Sequence, residues 1–447
     1  SEMDASTIGI IAFGLVILLL ALRVPIAFVL AAVASVGTFF VYALRSGTFS
    51  PERAINPTTS LVVNSFFELI HSYDLSMIPL FVALGNIAYY TGITTRIYDA
   101  ANVWLRSVPG GVSVASLMGC AGFSAISGSS IACASTMGRI CVPEMLRLGY
   151  NPKLATASVA AGGTLGSLIP PSVLFILYGI FTETSISKLF LAGILPGLLT
   201  LAGYILVVIW WTSRDPSAAP VDPTPLPRGA RLKAAISAWP AVMLFAVIIG
   251  GIYGGLFTAT EAAAISVVLT ILIGFFERTL TLRSMWTAIR ESLVQTSAIF
   301  LIAACAKIFV SFVALTGAAG LVSQWVADAG LSPLMLMAAI CVLYLFLGMF
   351  LDPVGIIVLT LPFVIPMVDN LGMDLIWFGV IVVKLLEIGL ITPPVGLNVF
   401  VIGNVTDRSI KVDTIFAGVS RFLAMDIVVL AILVLVPAIS TMIPNGL

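Results

Sequence analysis

Gly162-Gly163-Thr164-Leu165-Gly166-Ser167-Leu168-Ile169-Pro170-Pro171-Ser172 lies inside a long apolar segment, roughly residues 154–181. A helix cannot run through it intact. Its three glycines weaken the helix, and its two adjacent prolines remove two amide donors and clash with the preceding turn. In lipid the freed backbone groups must find partners, so a broken helix survives only where protein or a wet cavity covers it. The stretch is therefore a candidate place for something polar to bind near mid-membrane, although a proline kink can also serve packing alone.

A twin of this stretch decides between the two. Gly389-Leu390-Ile391-Thr392-Pro393-Pro394 repeats the pattern of Gly166 to Pro171 at an offset of 223 residues. The same offset pairs Pro143 with Pro366, Leu148 with Leu371 and Gly149 with Gly372. Matched interruptions in two halves of a chain point to the binding site of a secondary transporter.

The composition sets the environment. The chain has 447 residues, 60% hydrophobic and 9% charged, with a mean hydropathy of +1.14. Soluble domains carry about 25% charged residues, and the apolar runs here are about 20 residues long, the length of a membrane-crossing helix. Lys plus Arg and Asp plus Glu balance at 21 each, with no basic stripe for nucleic acid. The five cysteines form no Cys-x-x-Cys pair, which suggests neither a disulfide framework nor a zinc site. His71 is the single histidine, which argues against a His-ligated metal or relay.

Along the chain, residues 7–22 and 24–44 read as two spans. Residues 51–75 read as an interfacial helix, 76–91 as a third span and 93–108 as a second interfacial helix. Residues 112–146, about 35 weakly polar residues, are too many for one span and too few for two with a turn. A re-entrant hairpin fits, its tip the small hydroxyl run Ser124 to Ser130. Residues 330–369 pose the same problem, with Asp352-Pro353 at the tip, and at the repeat offset Ser129 falls on Asp352. The broken helices lie near 154–181 and 375–404. Residues 189–211 form a span, and the Pro-, Arg- and Lys-rich residues 212–233 a linker. In the second half, spans are expected near 235–257, 259–276, 294–316 and 421–443, with an interfacial helix near 279–292.

Charge sets the orientation. With the linker in the cytoplasm, Arg45, Arg53 and Lys188 fall outside, Arg139, Lys307 and Lys384 fall within spans or hairpins, and every other Lys and Arg is cytoplasmic. The fold class that results is an all-α polytopic membrane protein. It consists of two inverted repeats, residues 1–211 and 234–447 joined by linker 212–233, each with five spans, one re-entrant hairpin and a helix broken at the midplane.

Several motifs resemble a known family. Ile126-Ser127-Gly128-Ser129-Ser130, Ile169-Pro170-Pro171-Ser172, Leu189 to Gly197, Gly348-Met349-Phe350-Leu351-Asp352-Pro353 and Thr392-Pro393-Pro394-Val395-Gly396 look like the large membrane subunit of tripartite ATP-independent periplasmic (TRAP) transporters. The resemblance covers essentially the whole chain. It implies an elevator-type ion-transporter-like fold in a bacterial or archaeal inner membrane, and Na+-driven uptake of a small-molecule carboxylate. It also implies two partners, a small four-helix membrane subunit and a periplasmic substrate-binding protein. One departure is Cys133, near which members often carry an acidic residue.

Sodium wants several oxygens, and broken helices offer unsatisfied carbonyls. The expected sodium sites are the tip Gly128, Ser129 and Ser130 facing Thr164, Gly166 and Ser167, and the tip Gly348, Leu351 and Asp352 facing Gly389 and Thr392. Half-helix N-termini after Pro171 and Pro394 suit a carboxylate. The expected substrate-facing set is Ser129, Pro170, Pro171, Ser172, Asp352, Thr392, Pro394 and Asn398, with Arg139 a cation that could neutralise the carboxylate. Among the intramembrane cations, Lys384 is expected to pair with Glu387 three residues on, while Lys307 and Arg139 stay open. Glu261 reads as a helix cap. The rival readings are a sodium-coupled carboxylate symporter acting without a binding protein, an intramembrane enzyme and a channel. The lack of an Asp/Glu/His cluster speaks against the enzyme, and two mid-membrane hairpins speak against an open pore.

Overall fold

Where apolar runs carry no breaker the chain forms long helices, and where Gly and Pro cluster it turns. The computed structural model describes residues 4–446 and shows no strand among them. The first half runs α1 (Ala5–Ala21), α2 (Ile26–Ala43), α3 (Pro51–Ile70), α4 (Met77–Tyr90) and α5 (Ile93–Leu105). Then come α6 (Gly111–Ser127), α7 (Ser130–Arg147), α8 (Pro152–Gly163), α9 (Val173–Thr182) and α10 (Ile186–Arg214). After an extended segment the second half runs α11 (Ala230–Ser237), α12 (Trp239–Tyr253, with a π-helical middle), α13 (Ala259–Phe276), α14 (Leu282–Thr316) and α15 (Ala318–Asp328). Then come α16 (Pro333–Gly348), α17 (Pro353–Asn370), α18 (Leu375–Gly389), α19 (Leu397–Val405) and α20 (Val412–Leu435), followed by two short helical turns at Ala438–Thr441 and Pro444–Gly446.

The repeat is visible in the element bounds. α7 and α17 each have 18 residues, and both their first and last residues stand 223 positions apart. α8 and α18 likewise begin 223 positions apart. These two are the central helices. Every residue of α8 from Leu154 to Gly163 is buried, as is every residue of α18 from Trp377 to Gly389. A helix apolar on all sides belongs in the middle of a bundle. Around them, α9 and α18 line one large apolar cluster, and α6, α7 and α8 line a second.

Three expectations are corrected. The interfacial helix at 279–292 and the span at 294–316 are one continuous 35-residue helix, α14. Its charged start, Arg283 to Glu291, reads as a boundary, but no Gly or Pro lies between Leu282 and Thr316. In the first half the corresponding stretch does bend, by 55° between α3 and α4. The last span begins at Val412, not near 421, so Arg421 sits on a helix. α15 was not foreseen; it starts where Gly317, at φ +68°, ends α14. Glu261 closes a capping box with Thr258, as its position at a helix start suggests.

Candidate functional site

Each hairpin tip meets the break of its own half. α6 stops at Gly128, which takes φ +67°, where a side chain would be strained. A Cβ there would also stand 2.8 Å from the Pro171 carbonyl oxygen. Val173 N–H donates to Gly128 O at 3.2 Å, which ties the start of α9 to the tip. Ser129 caps α7, its Oγ accepting from Ala132 N at 3.3 Å. Ser130 Oγ donates to Thr164 O at 3.1 Å and also meets Ser167 Oγ. Gly166 packs so closely that a Cβ would stand 2.8 Å from Ser129 O. Ser172 caps α9 through Phe175 N and donates to Ser167 O at 2.6 Å. Pro170 and Pro171 are buried.

The second tip repeats this with different side chains. Asp352 caps α17, its Oδ2 accepting from Gly355 N at 3.0 Å, the role Ser129 plays on α7. Val395 N donates to Met349 O at 3.3 Å. Gly348 and Gly389 pack backbone to backbone: a Cβ on Gly348 would stand 2.9 Å from Gly389 Cα. Thr392 Oγ1 donates back to Ile388 O at 2.6 Å. Asn398 crosses between halves, its Nδ2 donating to Ala160 O at 3.3 Å and its N–H to Leu390 O at 2.9 Å. The two sites differ in cover. Thr164 to Ser172 are all buried, whereas Leu351, Asp352 and Thr392 are half-buried and Pro393 and Pro394 are exposed.

The tips and breaks offer oxygen: hydroxyls, main-chain carbonyls and one carboxylate. Ser127 Oγ and Asn398 Oδ1 are buried without a hydrogen-bond partner among the described residues. Buried polar atoms normally have one, and Glu387 Oε2 beside the first break is left without one in the same way. An all-oxygen set suits a hard cation better than a metal held by thiolate or imidazole.

Behind the tips lies a charged cluster that sequence reasoning only partly anticipated. Lys384 Nζ bonds Asp426 Oδ1 at 2.6 Å and Thr200 Oγ1 at 3.2 Å, while Glu387 Oε1 stands 3.7 Å away. The expected Lys384–Glu387 pairing is therefore secondary, because Asp426 on α20 projects directly at the ammonium. Tyr204 O–H donates to Asp426 at 2.7 Å, and Thr164 Oγ1 lies 2.9 Å from Glu387 Oε1. Lys384, Glu387 and Asp426 are all wholly buried. Such a cluster is tolerable in a membrane only because its members face one another. Asp426, Tyr204 and Thr200 were missed. An acid alone in the apolar run of α20 was the available signal.

The other cations lie elsewhere. Lys307 stands 3.8 Å from Glu68. Arg139 is exposed on α7, nine residues from Ser130, which at 1.5 Å per residue is about 14 Å from the tip. The structure does not bring it to the substrate-facing set.

Comparison with known proteins identifies the family. The family described as the tripartite ATP-independent periplasmic transporter, DctM component, matches residues 13–439. A C4-dicarboxylate TRAP transporter large permease protein DctM of Pseudomonas aeruginosa is 35% identical over 400 residues, covering 89% of this chain and 91% of that one. An isethionate TRAP transporter permease protein DctMQ of Oleidesulfovibrio alaskensis is 32% identical over 378 residues, covering 83% of this chain and 58% of that one. The crystal structure of the Alcanivorax borkumensis YdaH transporter, described as having an unusual topology, is similar with a TM-score of 0.65. It covers 94% of this chain and 99% of that chain at 14% identity, so the likeness there is one of fold. A family match over nearly the whole chain, together with motifs that sit at the two tips and breaks, settles the assignment: the chain belongs to the DctM family, the large membrane permease component of TRAP transporters.

Proposed function

We propose that this chain takes up a small organic anion across the inner membrane by sodium-coupled, elevator-type alternating access, the substrate being delivered by a periplasmic binding protein. The observation that carries the reading is the pair of tip-and-break sites, each built from hydroxyls and carbonyls, with two buried oxygens left without partners. Sodium is a transported ion in this scheme rather than a resident cofactor. Ser130, Ser167 and the carbonyls of the first break supply one oxygen cluster, and Asp352, Met349 and the carbonyls of the second supply the other. The N-termini of α9 and α19 add positive dipole ends suited to an anionic group.

Energetics favour this coupling. Each sodium moving inward gains about 2.3 kcal/mol per 100 mV. Two sodiums with one monovalent anion carry net positive charge inward, so the membrane potential helps accumulation. The named relatives span a C4-dicarboxylate and isethionate permease, which supports a small anion as the substrate class. A separate four-helix membrane subunit docks along α3, where Val63, Phe66, Phe67 and Ile70 are exposed; the start of α14, with Leu282 and Trp286 exposed, is a second place for it.

The test is uptake into proteoliposomes holding this chain and its small subunit, with binding protein and labelled substrate supplied outside. Uptake requires sodium, with a Hill slope above one. Undiminished uptake in potassium buffer with only a proton gradient would remove the sodium reading. Full uptake of free substrate without binding protein would replace the tripartite reading with a simple symporter.

A further inference from the structure

An apolar groove of about 580 Å³ opens between α10 and α20, lined by Leu206, Trp210, Ala424 and Val428 among others. Leu206, Trp210 and Val428 are each more than half exposed. The groove runs along α20 from Arg421 to Val428, seven residues, or about 10 Å at 1.5 Å per residue. Its apolar length ends in charge. The Arg421 guanidinium lies over the Trp211 ring at 3.8 Å, and Arg214 lies over Trp210 at 5.9 Å. Neither arginine has a carboxylate within ion-pair distance among the described residues. Arg421 is only partly buried and its one hydrogen bond is a 3.4 Å contact to Ala417 O, so most of its donors are free. The Ser420 hydroxyl sits beside it on the groove wall.

We propose that this groove binds an anionic glycerophospholipid from the leaflet on the linker side. The phosphate sits at Arg421, with Arg214 adding charge, and one acyl chain lies along Leu206, Ala424 and Val428. The charge pattern selects this occupant. A basic pocket between transmembrane helices at the cytoplasmic interface matches an anionic headgroup, and a planar guanidinium gives two parallel donors to phosphate oxygens. A protein helix would cover the apolar wall but leave both arginines unpaired. Stacking on tryptophan holds each guanidinium at the groove mouth without neutralising it. The position matters for the permease. Met425 lines the groove and is followed by Asp426, the partner of Lys384, so the acyl chain packs directly behind the buried charged cluster.

The test is native mass spectrometry of the delipidated membrane complex with added phosphatidylglycerol or phosphatidylcholine. The wild-type protein retains phosphatidylglycerol in preference to phosphatidylcholine. Arg421→Gln lowers that preference about tenfold, and Ala424→Trp, which fills the groove, reduces retention of both lipids. Two substitutions of different kind, one removing charge and one filling space, keep the test independent of either one's effect on folding. Unchanged phosphatidylglycerol binding in both variants overturns the proposal. So does Ala424→Cys forming a cross-link to the small subunit or to a second copy, since the groove is then a protein interface.

Discussion

The second tip-and-break contact gives the sharpest test of the site. Gly348 ends α16 and Gly389 ends α18, and their backbones meet with no side chain between them. A Cβ on Gly348 would stand 2.9 Å from Gly389 Cα, and one on Gly389 would stand 2.8 Å from Gly348 Cα and 3.0 Å from its carbonyl oxygen. Carbon atoms prefer about 3.5–4.0 Å, so either Gly→Ala change must push tip and break apart by about 0.6–1.2 Å. Overpacking of this kind costs about 1–3 kcal/mol, and the neighbouring atoms are backbone, which cannot rotate away. The proper control is Gly14→Ala on α1. Nothing stands within 4 Å of its Cβ position, and alanine inside a helix gains about 0.5–1 kcal/mol over glycine. Thermal unfolding and sodium-dependent uptake should be measured for all three variants. Gly14→Ala should be neutral or slightly stabilising, with unchanged sodium dependence. Gly348→Ala and Gly389→Ala should lower thermal stability and raise the sodium concentration for half-maximal uptake. If both behave like Gly14→Ala, the tip does not close on the break during transport and the proposed second site is wrong.

Further expectations concern single residues. Asp352→Asn keeps the N-cap on α17, because Asn caps about as well as Asp; the variant should fold and assemble normally, and a changed sodium dependence of uptake would show that the charge serves the ion. Lys384→Met leaves Asp426 and Glu387 buried without their cation and should cost about 3–5 kcal/mol, the range for stripping a buried pair of one partner; Asp426→Asn should cost less, since Glu387 at 3.7 Å remains for the lysine, and an inverted order in thermal unfolding would contradict this arrangement. In the linker, Thr224 N–H donates to Asp222 and holds its carboxyl below the usual range, with Arg106 adding to the effect. A depressed acid stabilises its folded contacts above its unfolded pKa and loses that contribution as pH falls through the folded value. Acidification through the carboxylate range should therefore speed proteolysis of the linker, and Asp222→Ala should already be fast at neutral pH.

How much of this was legible in the sequence depends on how local each cause is. The breaks and tips could be read because Gly and Pro act on their own backbone. Pro170-Pro171 and Pro393-Pro394 interrupt a helix whatever surrounds them, and the duplicated spacing said that the interruptions matter. The Asp352 cap could be read for the same reason, from Asp-Pro followed by a helix. The continuity of α14 was lost because charge was weighed above backbone chemistry at Glu291, where no breaker stands. The Lys384 partner was out of reach, because Asp426 lies 42 residues away on another helix and only packing brings the two to 2.6 Å. Arg139 was drawn to the site by its span alone; which face of α7 it occupies is set by tertiary contacts.

One contact shows why the repeat is symmetric in backbone and asymmetric in charge. Thr164 and Glu387 are equivalents at the repeat offset of 223, and their side chains touch at 2.9 Å. Residues related by a twofold axis can touch each other only where the axis passes between them, so the two breaks meet at the centre of the molecule. A strictly duplicated sequence would place two glutamates there in contact. Two adjacent carboxylates buried in a membrane cannot both remain ionised without a cation between them. The chain avoids this by having threonine on one side of the axis. The remaining charges follow the same rule: the equivalents of Lys384 and Asp426 in the first half are Ala161 and Gly203. All three charges of the central cluster therefore come from the second half, where they pair among themselves, while the first half contributes hydroxyls from Thr164, Thr200 and Tyr204. The charges on the second half's central helix therefore depend on hydroxyls from the first half, and the Thr164–Glu387 hydrogen bond joins the turn after α8 to α18 across the axis.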